Sequence, residues 1–233
     1  MVLNDISAVF EQGKTNLIIG QSGSGKTIFM KCCIGLTDPD EGVITFDDRN
    51  FSAMHEKKRR DIRKEMGVLF QGGALFDSFN VEQNVMFPLN MFTKKTLEEK
   101  RDRVNFCLKR VNLENVNHLM PSELSGGMMK RVAIARAISN NPKYLFCDEP
   151  NSGLDPKTAE VIDALISEIT HEYNMTTIIN THDMNSVLQI GQKIHFLYKG
   201  KLWWEGDKET ILDTENPELM EFVFSTELTR RIK

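Results

Sequence analysis

Three short stretches of this 233-residue sequence combine residue types that can do phosphate chemistry. The first, "GQSGSGKT" at 20–27, fits G-x-x-x-x-G-K-[ST], a spacing in which bare backbone N–H groups surround an anion. Gly20, Gly23 and Gly25 let the chain close around phosphate, and Gln21, Ser22 and Ser24 complete the loop. Lys26 is expected to reach the β and γ phosphates, and the Thr27 hydroxyl to coordinate Mg²⁺. The second stretch is "YLFCDEP" at 144–150, where Asp148 is placed to hold the metal through water and Glu149 to polarise an attacking water. Adjacent side chains on a strand point in opposite directions, so this division of labour requires the strand to end at Asp148. The third is "SELSGGMMKR" at 122–131, where Ser125, Gly126 and Gly127 open an apolar, helix-forming run. A serine hydroxyl and free N–H groups at a helix start make a second anion-binding device, and one loop of this kind would suffice for one phosphate chain.

The elements that must position these residues follow from periodicity. "TNLIIG" reads as a buried strand delivering the chain to Gly20, preceded by another short strand in "VLNDISAVF" and followed by the helix "KTIFMKCCIGL". "VITFDD" alternates as a half-exposed strand, and "MGVLFQ" at 66–71 is a further apolar one. Between 72 and 140 the pattern turns helical, with Leu97, Val104, Leu108 and Val111 on one face. Strands resume with "KYLFCDEP", then a helix, "MTTIINTHD", a helix over 183–190, and a hairpin turning at Lys199-Gly200. The expected fold is α/β, a P-loop NTPase (RecA-like) core of parallel strands over 1–71 and 141–233, with an inserted helical subdomain over 72–140.

Composition narrows the classes. Basic and acidic residues number 29 and 33, a net charge of −4 that leaves no global footprint for nucleic acid, and "KKRRDIRKE" at 57–65 reads as a solvated helix face. Cys32, Cys33, Cys107 and Cys147 have neither metal-ligand spacing nor a disulfide framework, which fits a reducing cytosol. No apolar run approaches the ~20 residues of a membrane-spanning helix, so work at a membrane requires a partner.

At this point the chain resembles the nucleotide-binding subunits of ABC transporters, along nearly its whole length and in the family's motif order. "GQSGSGKT" looks like Walker A, Gln71 after "VLF" like the Q-loop glutamine, "LSGGM" at 124–128 like the signature, "YLFCDE" like Walker B, "SGLD" at 152–155 like the D-loop, and His182 in "NTHD" like the switch histidine. The resemblance implies ATP and Mg²⁺, and a homodimer closed head to tail in which Ser125, Gly126 and Gly127 of one copy meet the ATP on the P-loop of the other. It implies that Gln71 touches Mg²⁺ or the attacking water when the helical insertion swings inward, that His182 contacts the γ-phosphate, and that Asp155 organises the subunit boundary near Glu149. It also implies transmembrane permease subunits that hold the ATPase peripherally on the cytoplasmic face of the inner membrane.

Residues outside the shared motifs sharpen this. "LFQGGALFDSFNVEQNVMFPL", "LMPSELSGGMMKRVAIARAI", Met128 in place of the usual signature glutamine, and "PELMEFV" resemble the ATPases of Mla-type, MCE-associated phospholipid transporters. That implies an MCE-domain lipid-binding partner. Several apolar residues of 74–92, Phe79 and Phe87 among them, are expected to line a groove for a permease helix. The sequence departs from the family in three places. The upstream strand and adenine-stacking aromatic are expected to be missing, with Phe10 reading as core. Ile28 stands where many relatives carry a second hydroxyl, leaving the α-phosphate to its backbone N–H. The end at "RRIK" is expected to be too short for a dimer-bracing tail. Other readings are the ATPase of another ABC importer or exporter, a soluble ABC protein such as an Fe–S assembly ATPase, and a small-molecule kinase on a P-loop core, where "LSGGM" has no purpose.

Overall fold

The computed structural model describes residues 2–224; the end at "RRIK" lies outside the described residues. A six-stranded sheet organises it. The first strand, β1 (Thr15–Ile19), is buried along its whole length and feeds through a loop into α1 (Lys26–Cys33). The hairpin of β2 (Thr45–Phe46) and β3 (Arg49–Asn50) is separate, followed by α2 (Glu56–Arg63) and β4 (Met66–Leu69). Three helices come next: α3 (Val81–Phe92), α4 (Leu97–Arg110) and α5 (Gly126–Ile138). The chain then runs through β5 (Tyr144–Asp148), α6 (Pro156–Glu172), β6 (Thr176–Thr181), α7 (Met184–Ile190), β7 (Lys193–Tyr198), β8 (Lys201–Gly206) and α8 (Pro217–Val223).

The sheet order is β4-β5-β6-β1-β7-β8, parallel except for β8. Parallel strands joined by helices must be covered on both faces, and the period-2 pleat shows this. Leu145 and Cys147 of β5 join Leu17 and Ile19 of β1 in one cluster, whereas Phe146 and Ile18 join Phe46 and Phe51 in the other. Truncating a fully buried member such as Ile134 of α5 to alanine would cost about 2–5 kcal/mol. The parallel order also brings the carboxyl ends of β1, β4, β5 and β6 to one edge, where crevices form in open α/β sheets. Gly20, Gln71, Glu149 and His182 all follow those ends.

Helix starts are built locally. Asn80 with Gln83 and Thr96 with Glu99 form reciprocal capping boxes on α3 and α4, while Ser125 and Asp155 cap α5 and α6 by accepting from Met128 N–H and Thr158 N–H. The hairpin of β7 and β8 turns where expected, Lys199 and Gly200 both adopting positive φ.

Three expectations change. Residues 2–11 form no strand: Asp5 turns at φ 52, Asn4 N–H donates to Gly200 O, and no neighbouring strand exchanges a ladder with the stretch among the described residues. Ile6 and Phe10 pack instead on the second core cluster, with Phe10 edge-on to Phe29 and His195, so Phe10 is core. "VITFDD" shortens to a two-residue strand because Asp47, at φ 53, turns the chain straight into β3. Leu97 is 56% exposed although Val104, Leu108 and Val111 are buried, because the first turn of α4 overhangs the edge of the core.

Candidate functional site

The phosphate cradle is a backbone structure. Gly20, Gly23 and Gly25 take φ values of 149, 80 and 108, which side-chain-bearing residues resist, and a Cβ on Gly20 would come 2.3 Å from the Leu197 carbonyl. The N–H groups of Gly23, Gly25, Lys26, Thr27 and Ile28 find no acceptor among the described residues, so a row of donors converges at the start of α1. Ser24 Oγ is buried there without a partner. Lys26 is buried, and its Nζ donates to the carbonyls of Gly20 (2.7 Å) and Gln21 (3.1 Å) across the same loop. Burial pulls the Lys26 ammonium below its ordinary range, opposed by the charges of Glu149 and Asp148. A buried ammonium, an orphaned hydroxyl and unpaired N–H groups around open space at Gly23 fit a polyphosphate chain. Gln21 and Ser22, also expected here, are exposed.

The acidic pair divides as the strand's end requires. β5 stops at Asp148, which is buried, and Glu149 takes φ 50, a left-handed turn that separates the two carboxylates. Asp148 Oδ1 accepts from Asn180 Nδ2 at 3.0 Å and lies 3.5 Å from Thr27 Oγ1, so a hydroxyl and an oriented carboxylate face one point. Hard oxygen donors of this kind suit Mg²⁺. Glu149 N–H donates to Asn180 O, and its Oε1 meets His182 Nδ1 at 2.8 Å. Thus β6 supports both acids: Asn180 steadies the first and fixes the backbone of the second, and His182 holds the second's side chain.

Gln71 follows β4, which pairs with β5 at Leu69 and Cys147, so the glutamine stands one strand away from the acids. It is exposed, and no hydrogen bond joins it to Thr27, Asp148 or Glu149 among the described residues. The turn behind it passes through Gly72, Gly73 and Ala74, all at positive φ.

Ser125, Gly126 and Gly127 are not brought to the P-loop. They line a separate concavity of about 400 Å³ shared with Met128, Arg131 and Asp155. Gly127 packs closely on α6, where a Cβ would sit 2.8 Å from Thr158 Cγ2 and the threonine would have to give way. Asp155 caps α6 beside this concavity, with no hydrogen bond to Glu149 among the described residues.

Sequence reasoning missed Asn180, Asn151 and Asp163. Asn151 Nδ2, following Glu149-Pro150, reaches Ser186 Oγ at 2.7 Å and Asp163 Oδ2 at 3.2 Å, and Ser186 Oγ donates to Asp163 Oδ2 at 2.6 Å. This buried group locks the segment before Asp155 to α6 and α7. The available signal was a polar residue at a core position, such as Asn180 inside "TTIINT".

A family model described as ABC transporter matches residues 3–152. The chain is 36% identical over 222 residues to the probable ribonucleotide transport ATP-binding protein mkl of Mycobacterium tuberculosis (strain H37Rv), covering 95% of this chain and 62% of that relative, so it spans less than two thirds of the latter's length. It is 37% identical over 222 residues to the intermembrane phospholipid transport system ATP-binding protein MlaF of Escherichia coli K12, covering 95% of this chain and 82% of the relative. The solved structure of the dimeric, post-hydrolysis ATP-binding cassette MJ0796 bound to ADP and Pi superposes with a TM-score of 0.81 at 33% identity, over 89% of this chain and 90% of that one.

Proposed function

This chain belongs to the ABC transporter family, and from that premise we propose that it is the ATP-hydrolysing subunit of a membrane transporter, acting as two copies closed head to tail around two ATP molecules. The observation that carries the reading is the separation of two phosphate-binding devices on one chain. No P-loop residue lines the concavity of Ser125, Gly126 and Gly127, so each completes a site only with a second copy. The dimeric relative bound to ADP and Pi supports it.

In this reading the P-loop N–H groups and Lys26 hold the phosphates, and Thr27 with Asp148, the latter through water, would hold Mg²⁺, which would supply neutralisation of the phosphate charge. Glu149 takes a proton from the attacking water as its oxygen bonds to the γ-phosphorus and the bond to ADP breaks, with His182 holding the carboxylate. Gln71 joins the site when residues 72–140, the helical subdomain, turn inward, and Asp155 faces the boundary between copies.

The transporter partner is a permease. Phe76, Phe79 and Phe87 form a ring cluster with centroids 4.7–6.3 Å apart, and Phe76 and Met91 stay 40% and 48% exposed, an apolar surface suited to a permease helix. No helix among the described residues is long and apolar enough to cross a membrane, which agrees with peripheral attachment on the cytoplasmic face of the inner membrane. The substrate we assign is phospholipid, with an MCE-domain partner. Identity does not separate this from the relative named for ribonucleotide transport, so the assignment rests on Met128 and the "FQGGALF" and "MPSELSGGM" stretches. Purification with the permease and MCE-domain protein, followed by ATP-dependent lipid transfer between vesicles, tests it; ATP-driven movement of a different solute would reassign the substrate.

A further inference from the structure

Helix α5 carries two buried cations that touch no carboxylate, although the charge of Glu149 reaches Lys130 from beyond ion-pair distance. Arg136 is 9% exposed, and its Nη1 and Nη2 donate at 2.8 Å to the carbonyls of Ala74 and Gly73, with the Phe76 ring 5.9 Å from the guanidinium carbon. Lys130 is 4% exposed, and its Nζ faces the carbonyl of Glu149 at 3.5 Å. Neither forms an ion pair within 4 Å among the described residues. A cation taken out of water is expensive unless compensated, and here the groups in direct contact with both cations are backbone carbonyl oxygens. Each cation's energy therefore depends on where those carbonyls lie. The two loops involved are the one that follows Gln71 and the one that carries Glu149. Six residues of helix turn through about 240° beyond a full rotation, which lets one rod address both.

We propose that Lys130 and Arg136 are positioning residues that tie the loops of Gln71 and Glu149 to α5, so that contact at the start of α5 sets the catalytic geometry of the same chain's own P-loop site. The proposal rests on the reading above, in which Ser125, Gly126 and Gly127 at that start meet the partner copy's ATP. One helix then senses one nucleotide and adjusts the machinery for the other. The turn it grips is closed by the Gly73 N–H to Phe70 O hydrogen bond at 2.9 Å and runs through three positive-φ residues, and Asn84 steadies its far side through the backbone of Phe76, Phe79 and Asn80.

The test uses the full chain with Lys130→Met, Lys130→Arg and Arg136→Lys. Lys130→Met should lower kcat at least tenfold while KM for ATP stays within twofold and the melting temperature does not fall, and Lys130→Arg should recover most of the rate. Arg136→Lys, which keeps the charge but loses the two-pronged grip, should lower kcat about tenfold, bring the Hill coefficient for ATP towards 1, and speed amide exchange at residues 72–75 about tenfold. Wild-type kcat in both Lys130→Met and Arg136→Lys, rate losses that track lost stability, or Lys130→Arg as slow as Lys130→Met would overturn the proposal. Amide exchange separates its failure from that of the ATPase reading. Should the wild-type chain fail to hydrolyse ATP, faster exchange in Arg136→Lys would still uphold the grip on the loop, and unchanged exchange would refute it.

Discussion

The imidazole Nδ1 of His182 lies 2.8 Å from Oε1 of Glu149, joining the end of β6 to the end of β5 across the mouth of the nucleotide site. An ionised carboxylate can only accept, so Nδ1 carries the proton and Nε2 is left pointing away from the glutamate. The ring therefore orients the carboxylate proposed as the base.

It follows that His182→Ala should lower kcat by about 10²-fold through loss of base positioning, within the range a positioned base contributes. KM for ATP should change little, because the P-loop contacts of Lys26 do not involve His182. Steady-state phosphate release against ATP concentration measures both constants. A mutant whose KM rises while kcat holds would place the histidine in ground-state binding instead.

Gly127→Ala is predicted to weaken the start of α5. Its added methyl would meet Thr158 Cγ2 at 2.8 Å, so either the threonine side chain rotates or α5 shifts against α6. The expected cost is about 1–3 kcal/mol of stability. ATP binding to the isolated subunit, which uses the P-loop, should survive within threefold while hydrolysis falls at least tenfold. Denaturant melts and nucleotide titration distinguish this from global unfolding.

Asp163 makes a pH prediction. Burial pushes its carboxyl up to about 6, with the bonds from Ser186 and Asn151 pulling the other way. The folded state thus favours the protonated form more than the unfolded chain does. The corresponding stability is complete below the unfolded value of 3.8 and is lost as pH rises through about 6. The fold is therefore less stable by about 3 kcal/mol at pH 7.5 than below the unfolded value, on account of this one group. Asp163→Asn should remove this slope, so its stability relative to the parent should rise between pH 4.5 and 7.5 in denaturant titrations. Parallel curves across that range would show that Asp163 ionises as freely in the fold as in the unfolded chain.

The motifs were legible because their geometry is local: a glycine loop followed by Lys26-Thr27 specifies its own backbone, and two adjacent acids expected to face different ways require the strand to end at Asp148, as it does. What stayed hidden depends on contacts distant in the chain. Lys130 and Arg136 are polar positions on a helix in the sequence, and only packing of α5 against α3, α4 and β4 turns them inward. Asn180 gave a faint sign as an amide among β-branched residues, but its bond to Asp148 spans 32 positions. The reading of 2–11 as a strand failed because alternation specifies a half-buried segment, and ladder formation needs a neighbour that the sequence pattern does not locate. Leu97 failed for a similar reason, since helical phase says which side of α4 faces inward but not how far along it the core extends.

The central claim is that Ser125–Gly127 of one chain completes the ATP site of another, and the mass of the Glu149→Gln protein in solution tests it most directly. With turnover blocked and saturating ATP and Mg²⁺, light scattering should give twice the 26.7 kDa of a single chain, and adding Ser125→Arg should return it to one chain without abolishing nucleotide binding. A Glu149→Gln protein that binds ATP yet stays at the mass of one chain, or a dimer indifferent to Ser125→Arg, would contradict the account.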